Sequence, residues 1–176
     1  MKSLVEVSDK IKLLVVGDGP DLVNYQDYCK KNNISGNVIF TGKVPWDNIV
    51  EYYWVSDIFT TASHTETQGL TVIEAMAASL PVLAIKDESF TGTVIDNLNG
   101  FIFRNRKEFK NQVMKLFEDR ELLDRLRKQA RNSAEVHSAK YFGEHVLDVY
   151  KIAIKNNNKP KKNLIDKIIN MIGGKK

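Results

Sequence analysis

Residues 58–85 read Ile58-Phe59-Thr60-Thr61-Ala62-Ser63-His64-Thr65-Glu66-Thr67-Gln68-Gly69-Leu70-Thr71-Val72-Ile73-Glu74-Ala75-Met76-Ala77-Ala78-Ser79-Leu80-Pro81-Val82-Leu83-Ala84-Ile85. Three segments of different character stand side by side in this stretch. Ile58 to Ala62 and Pro81 to Ile85 are short, rich in apolar residues, and bounded by turn-forming residues, which is the pattern of strands. Gly69 to Ser79 between them is a helix. A strand, a helix of about three turns and a second strand make a parallel unit, because antiparallel neighbours need no such crossover. The strands do not alternate apolar with polar, as expected when helices cover both faces of the sheet.

The same rhythm extends in both directions. Upstream, Ile11 to Val16 is a strand stopped by Gly17-Asp18-Gly19-Pro20, with Pro20 suited to the first turn of a helix. That helix fits Asp21 to Asn32, with Leu22, Tyr25 and Cys29 on one face. Val38 to Thr41 is a strand ended by Gly42, and Trp46 to Val55 is a short helix with Asp47 in its first turn. Downstream, Phe101 to Phe103 is a fifth strand, followed by helices over Lys107–Glu118, Arg120–Ala134 and Ala139–Lys155, the last capped by Ser138. The expected fold is α/β: a Rossmann-like doubly wound parallel sheet with trailing helices, one domain over residues 1–155. Asn156 to Lys162 reads as a polar linker, and residues 156–176 as a basic linker and amphipathic tail. No internal repeat is visible.

Composition narrows the classes. The 176 residues are 43% apolar, enough for one core of ordinary size. No uninterrupted apolar run is long enough for a membrane span, and Met1 to Glu6 lacks the apolar stretch of a secretory signal, so a cytoplasmic setting is expected. Cys29 is the single cysteine, which leaves no internal disulfide and no cysteine-based zinc site. The net charge of +4 is uneven: residues 155–176 hold seven Lys against Asp166, a local +6, leaving −2 for residues 1–154. A mildly acidic body is not the basic face of a nucleic-acid binder. In the tail, Leu164, Ile165, Ile168, Ile169 and Ile172 fall on one helical face beside Lys161, Lys162, Lys167, Lys175 and Lys176. This is a signature of an anionic membrane surface, with docking on another domain or a plain basic end as alternatives.

Ligands of open parallel sheets bind beyond the carboxyl ends of the strands, close to helix N-termini. Gly17-Asp18-Gly19-Pro20 is one such junction, but it is neither a dinucleotide fingerprint nor a Walker A loop, and a tight turn is the simpler reading. The junction from Ala62 to Ala77 carries more chemistry. Gly69 and Leu70 open a helix whose free N–H groups suit a phosphate. Glu66 stands just before it, and Glu74 within it among Leu70, Ile73, Ala75, Met76 and Ala77. A carboxylate there either finds hydrogen-bond partners, which a ligand with several hydroxyls would supply, or lies on a solvent-facing edge. His64, His137 and His145 lack metal-ligand spacing. Trp46, Tyr52, Tyr53 and Trp54 suggest an aromatic platform, with helical packing the simpler account.

The pair Glu66 and Glu74 resembles the E-x7-E signature of the retaining family 4 glycosyltransferases. The resemblance continues, in order, through Leu13 to Pro20, Val38 to Gly42, Ser56-Asp57-Ile58, Glu74 to Val82 and Asn99-Gly100-Phe101. It implies one half of a GT-B fold and a hexosyltransferase activity with retention at the anomeric carbon. It implies that Glu66, the catalytic candidate, binds hydroxyls of the donor sugar and Glu74 the ribose hydroxyls. Thr67, Gln68, Gly69, Leu70 and Thr71 would offer backbone N–H groups to sugar and diphosphate, and the backbone of Val44 would lie against the base. No metal and no cofactor are expected, the nucleotide diphosphate sugar being a substrate. The acceptor domain, and the first strand of the donor domain with its Gly-Arg and Lys, are expected to lie outside these residues, so the isolated domain is expected to be inactive. Thr91-Gly92-Thr93-Val94-Ile95 departs from the Pro-Glu of many members.

Thr65-Glu66-Thr67-Gln68-Gly69-Leu70-Thr71 is most similar to the bacterial diacylglycerol glucosyltransferases, with Gln68 in place of the commoner Phe. The expectation is transfer of a hexose such as glucose, as from UDP-glucose, to a lipid or lipid-linked acceptor, with the protein peripheral on the inner membrane face. Capsule or wall polysaccharide synthesis, a sugar-nucleotide epimerase relative and a standalone flavodoxin-like binding module are the alternatives.

Overall fold

The computed structural model describes residues 1–66 and 69–157. Thr67, Gln68 and the whole amphipathic tail lie outside the described residues. The chain divides into two units, Met1–Glu135 and a second beginning at Val136.

In the first unit the elements follow the order expected. They are α1 (Lys2–Val5), β1 (Leu13–Val15), α2 (Leu22–Lys31), β2 (Val38–Phe40), α3 (Ile49–Trp54), β3 (Phe59–Thr61), α4 (Leu70–Ala77), β4 (Val82–Ile85), β5 (Gly100–Phe103), α5 (Arg106–Glu118) and α6 (Arg120–Glu135). Every strand pair is parallel, with Leu13 opposite Val38, Phe59 opposite Val82 and Val82 opposite Gly100. The strands form two sheets, β1-β2 and β3-β4-β5. The outer edges of β1 and β3 have no strand partner among the described residues.

β4 shows why continuous apolar runs signal a covered strand. Val82, Leu83 and Ala84 are each fully buried. Successive side chains of a strand point to opposite faces. Val82 and Ala84 accordingly pack with Val72, Ala75 and Met76 of α4, while Leu83 packs with Val113 and Leu116 of α5. α6 serves both faces: Leu122, Leu123 and Leu126 join the second cluster, Ala130 and Ala134 the first. A third cluster of Cys29, Ile34 and Val38 holds α2 on the β1-β2 pair.

Four local expectations change. The strand from Ile11 begins at Leu13. The inward stripe of α2 runs through Leu22, Gln26 and Cys29, leaving Tyr25 exposed, because i, i+4, i+7 is the stripe nearest one helical face. Trp46 to Val55 is not one helix: Pro45 sets a tight turn over Trp46–Asn48, closed by Asn48 N–H to Pro45 C=O at 3.0 Å, before α3 starts. α4 stops at Ala77 because Ser79 turns left-handed, φ 65°. The Ser79 N–H then reaches Met76 C=O and the Leu80 N–H reaches Ala75 C=O, both at 2.9 Å, with Leu80 buried. These bonds form a Schellman motif, here with serine where glycine is usual.

Asn105 caps α5, its side chain accepting from the N–H groups of Lys107 and Glu108. In the second unit α7 (Ala139–Asn157) has no buried residue, and Ser138 Oγ accepts from the Tyr141 N–H at 3.2 Å, the cap expected there. Among the described residues no helix is long and apolar enough to cross a membrane.

Candidate functional site

Because β3 and β4 are parallel, the loops that leave them share one end of the sheet. The loop after β3 carries Ser63 to Glu66 and enters α4 through Gly69. Gly69 is the N-cap of α4 in the left-handed region, φ 58°, and accepts from the N–H groups of Val72 and Ile73. Among the described residues no side chain caps this end. Among the described residues the N–H groups of Leu70 and Thr71 meet no acceptor, and both residues are exposed. A helix end left open in this way has partial positive charge and unsatisfied donors to offer an anion.

α4 buries Val72, Ala75 and Met76 and turns Glu74 outward on the side of Leu70 and Thr71. The solvent-facing alternative for Glu74 is therefore correct as to exposure. The carboxylate still has one protein partner: the Tyr53 hydroxyl of α3 donates to Glu74 Oε2 at 3.0 Å. Burial first, and then this hydrogen bond, push the Tyr53 phenol up from its ordinary value. Glu66 is half-buried, with no hydrogen-bond partner for its carboxylate among the described residues.

The loop after β4 meets the loop after β3. His64 Nδ1 lies 3.3 Å from Asp87 Oδ2, and Asp87 Oδ1 accepts from Ser89 N at 3.0 Å and Ser89 Oγ at 2.7 Å. The Ser89 N–H, then its hydroxyl, then His64 hold the Asp87 carboxyl below its ordinary value. The loops after β1 and β2 are joined likewise, by Gly17 N–H to Gly42 C=O at 3.2 Å. Asp18 satisfies its own turn, Oδ1 accepting from Gly19 N–H at 2.8 Å, as a structural turn requires. Val44 follows that junction and is half-buried, and no hydrogen bond links it to Glu66 or to the segment from Gly69 to Glu74 among the described residues. Thr67 and Gln68 lie outside the described residues.

The sequence blocks thus divide by what their polar groups already do. Asn99 is buried and fully used: Oδ1 accepts from Ile95 N–H at 2.8 Å, while Nδ2 donates to Thr93 C=O at 2.9 Å and Ser133 Oγ at 3.1 Å. Gly100 is required because a Cβ there would run into the Val82 backbone. Asp57 pairs with Arg127 of α6 at 2.7 Å and with Arg120 at 3.7 Å. These positions hold the fold. Among the described residues the Glu66 carboxylate and the N-terminus of α4 have no such partner.

Tyr53, expected in an aromatic platform or in helical packing, is a hydrogen-bond partner of Glu74, and the sequence alone does not single out Asp87 or Ser89. Asp-x-Ser directly after a strand is a turn signature that could have flagged the last two. Among the described residues no cluster of three or more His, Cys, Asp or Glu side chains could hold a metal ion. A cavity lined by Gln26, Cys29, Lys30, Ser35, Val38 and Phe40 lies between α2 and β2, and none of the residues from Ser63 to Glu74 lines it.

The chain matches the family described as "Glycosyl transferases group 1" over residues 1–133. It is 32% identical over 148 residues to an alpha-monoglucosyldiacylglycerol synthase of Acholeplasma laidlawii, covering 84% of this chain and 37% of that protein. It is 30% identical over 161 residues to the alpha-monoglucosyldiacylglycerol synthase of Streptococcus pneumoniae, covering 88% of this chain and 35% of that protein. The chain thus spans about a third of the length of these curated relatives. The solved structure of Anabaena Alr3699/HepE in complex with UDP superposes with a TM-score of 0.75 at 18% identity, over 85% of this chain and 43% of that one. That likeness establishes the fold, one Rossmann-like half of GT-B architecture.

Proposed function

This chain belongs to the group 1 glycosyltransferases, and on that premise we propose that it binds the donor of a retaining hexosyltransferase acting on a lipid acceptor. The observation that carries this reading is the pairing, at one end of the β3-β4-β5 sheet, of a helix N-terminus with two carboxylates. Among the described residues no side chain caps α4, and the carboxylates of Glu66 and of Glu74, the latter with acceptor positions beyond its bond to Tyr53, lie eight positions apart along the chain on either side of that end. In this reading the N–H groups from Thr67 to Thr71 receive the diphosphate, Glu74 accepts from the ribose hydroxyls and Glu66 from hydroxyls of the sugar. The backbone of Val44 lies against the base.

Catalysis is then electrostatic. As the bond from the anomeric carbon to the diphosphate breaks, negative charge grows on the leaving group. Fixed backbone dipoles stabilise that charge without a metal or a side-chain proton donor, while the acceptor oxygen bonds to the anomeric carbon and its hydroxyl proton passes to the departing diphosphate. The relatives named as alpha-monoglucosyldiacylglycerol synthases support a glucosyl donor and a diacylglycerol acceptor, and the UDP held by the Anabaena protein supports a uridine nucleotide. The acceptor domain belongs to the rest of a longer protein. The strand expected to open the donor domain would pair with the free edges of β1 and β3. Ile11 and Ile58, just before those strands, already pack on one cluster. We place the protein on the inner membrane face, held there in part by the basic tail.

The test is UDP-glucose binding by isothermal titration, with the chain as it stands and with Glu74→Ala. Loss of charged hydrogen bonds to the ribose should weaken binding by roughly ten- to a hundred-fold, from about 1.5–3 kcal/mol. Unchanged affinity in a folded variant would remove Glu74 from the site. The chain alone should bind donor yet transfer no sugar, because nothing orients an acceptor.

A further inference from the structure

We propose that Tyr53 is a positioning residue for Glu74 and thereby sets the preference of this site for ribose over 2′-deoxyribose. The inference rests on the assignment of Glu74 to the ribose. Glu74 is exposed, on a side chain with several rotatable bonds, and among the described residues one protein group hydrogen-bonds its carboxylate. That group comes from a different element, 21 residues away, and is itself held firmly. The Tyr53 ring packs on the core cluster of α4, β4 and α6, and its centroid lies 6.0 Å from that of Phe59 of β3.

The consequence follows from the geometry of a carboxylate. Its two oxygens offer about four acceptor positions. Tyr53 occupies one on Oε2, leaving Oε1 and the remaining position on Oε2 for hydroxyl donors. A vicinal diol such as the 2′- and 3′-hydroxyls of ribose presents two donors at that spacing. With the carboxylate anchored, both bonds form without first immobilising a free side chain, and ordering entropy is what an unanchored glutamate would lose. Removal of the phenol oxygen leaves the charge of Glu74 in place but frees its orientation. Discrimination at the 2′-position, which depends on two simultaneous bonds, should suffer more than the mere presence of an attraction.

The experiment titrates UDP and 2′-deoxy-UDP into the full chain, in the natural form and as Tyr53→Phe, Glu74→Ala and the double variant. Thermal melts confirm folding. Tyr53→Phe retains the ring and its packing, so a purely structural role would leave the ratio of the two affinities unchanged. The expected result is about three- to ten-fold weaker UDP binding in Tyr53→Phe, the size of one hydrogen bond, with a smaller ribose preference. Glu74→Ala should abolish the preference, and the double variant should bind as Glu74→Ala does. If Glu74→Ala weakens UDP but Tyr53→Phe changes neither affinity nor ratio, the positioning role is wrong and the donor site stands. If Glu74→Ala has no effect, the ribose assignment falls and this inference with it.

Discussion

Asp87 Oδ2 lies 3.3 Å from His64 Nδ1, joining the loop after β4 to the loop that carries Glu66. Ser89 gives its N–H and hydroxyl to the other oxygen of Asp87, so the carboxylate is fixed before His64 reaches it. The contact links His64, two residues before Glu66, to the turn that follows β4.

The tie is pH-dependent with a definite sign. Asp87 titrates below its ordinary value in the folded chain. Its contribution is therefore fully present above the unfolded value, about 4, and is lost as pH falls through the folded one. Compared with Asp87→Asn, the natural chain should melt at higher temperature near neutrality, and the gap should close below about pH 4. Thermal melts across that range check it. A gap that held constant would mean the charge on Asp87 contributes nothing.

Asn99→Ala should destabilise the fold by roughly 1–3 kcal/mol, since the buried Asn99 side chain is lost together with its bonds to Ile95 N–H, Thr93 C=O and Ser133 Oγ. Urea unfolding measures this. An unchanged midpoint would mean that water replaces these bonds.

Ser79→Gly should have the opposite effect. Ser79 sits at φ 65° to end α4, a conformation unfavourable for any residue with a Cβ. Relief of that strain, partly offset by the extra freedom of glycine in the unfolded chain, should stabilise by about 0.5–1 kcal/mol. A lower urea midpoint in the variant would show that the serine side chain contributes something its backbone does not reveal.

The elements of the fold were legible because their signals are local. The apolar run at Val82 to Ala84 reflects burial on both faces, Gly17 and Gly42 follow the ends of β1 and β2, and Gly69 marks where α4 starts. Gly69 and the two glutamates could be placed on one junction for the same reason. What the sequence does not carry is tertiary pairing. The Tyr53 bond to Glu74 and the His64 contact to Asp87 each span more than twenty residues, and no periodicity encodes them. The early end of α4 was missed because a serine does the work usually given to glycine.

The tail supplies a further prediction from sequence. Residues 159–176, with six Lys against Asp166 and five aliphatic residues at the spacing of one helical face, should bind anionic vesicles reversibly. Each Lys near such a surface adds on the order of 1 kcal/mol. Co-sedimentation of the chain with and without residues 159–176 should show binding lost on truncation, weaker at high salt and weaker on neutral lipid. Equal binding by both chains would assign the tail to docking on protein instead.

The central claim is that donor binds where α4 opens beside Glu66 and Glu74. Titration of UDP-glucose into the 15N-labelled chain, followed by backbone amide shifts, tests it most directly. The account predicts saturating shifts concentrated at Val44, Glu66, Gly69, Leu70, Thr71 and Glu74, and their loss in Glu74→Ala. Saturating shifts centred instead on the cavity around Gln26, Cys29 and Lys30, or none at millimolar donor, would contradict it.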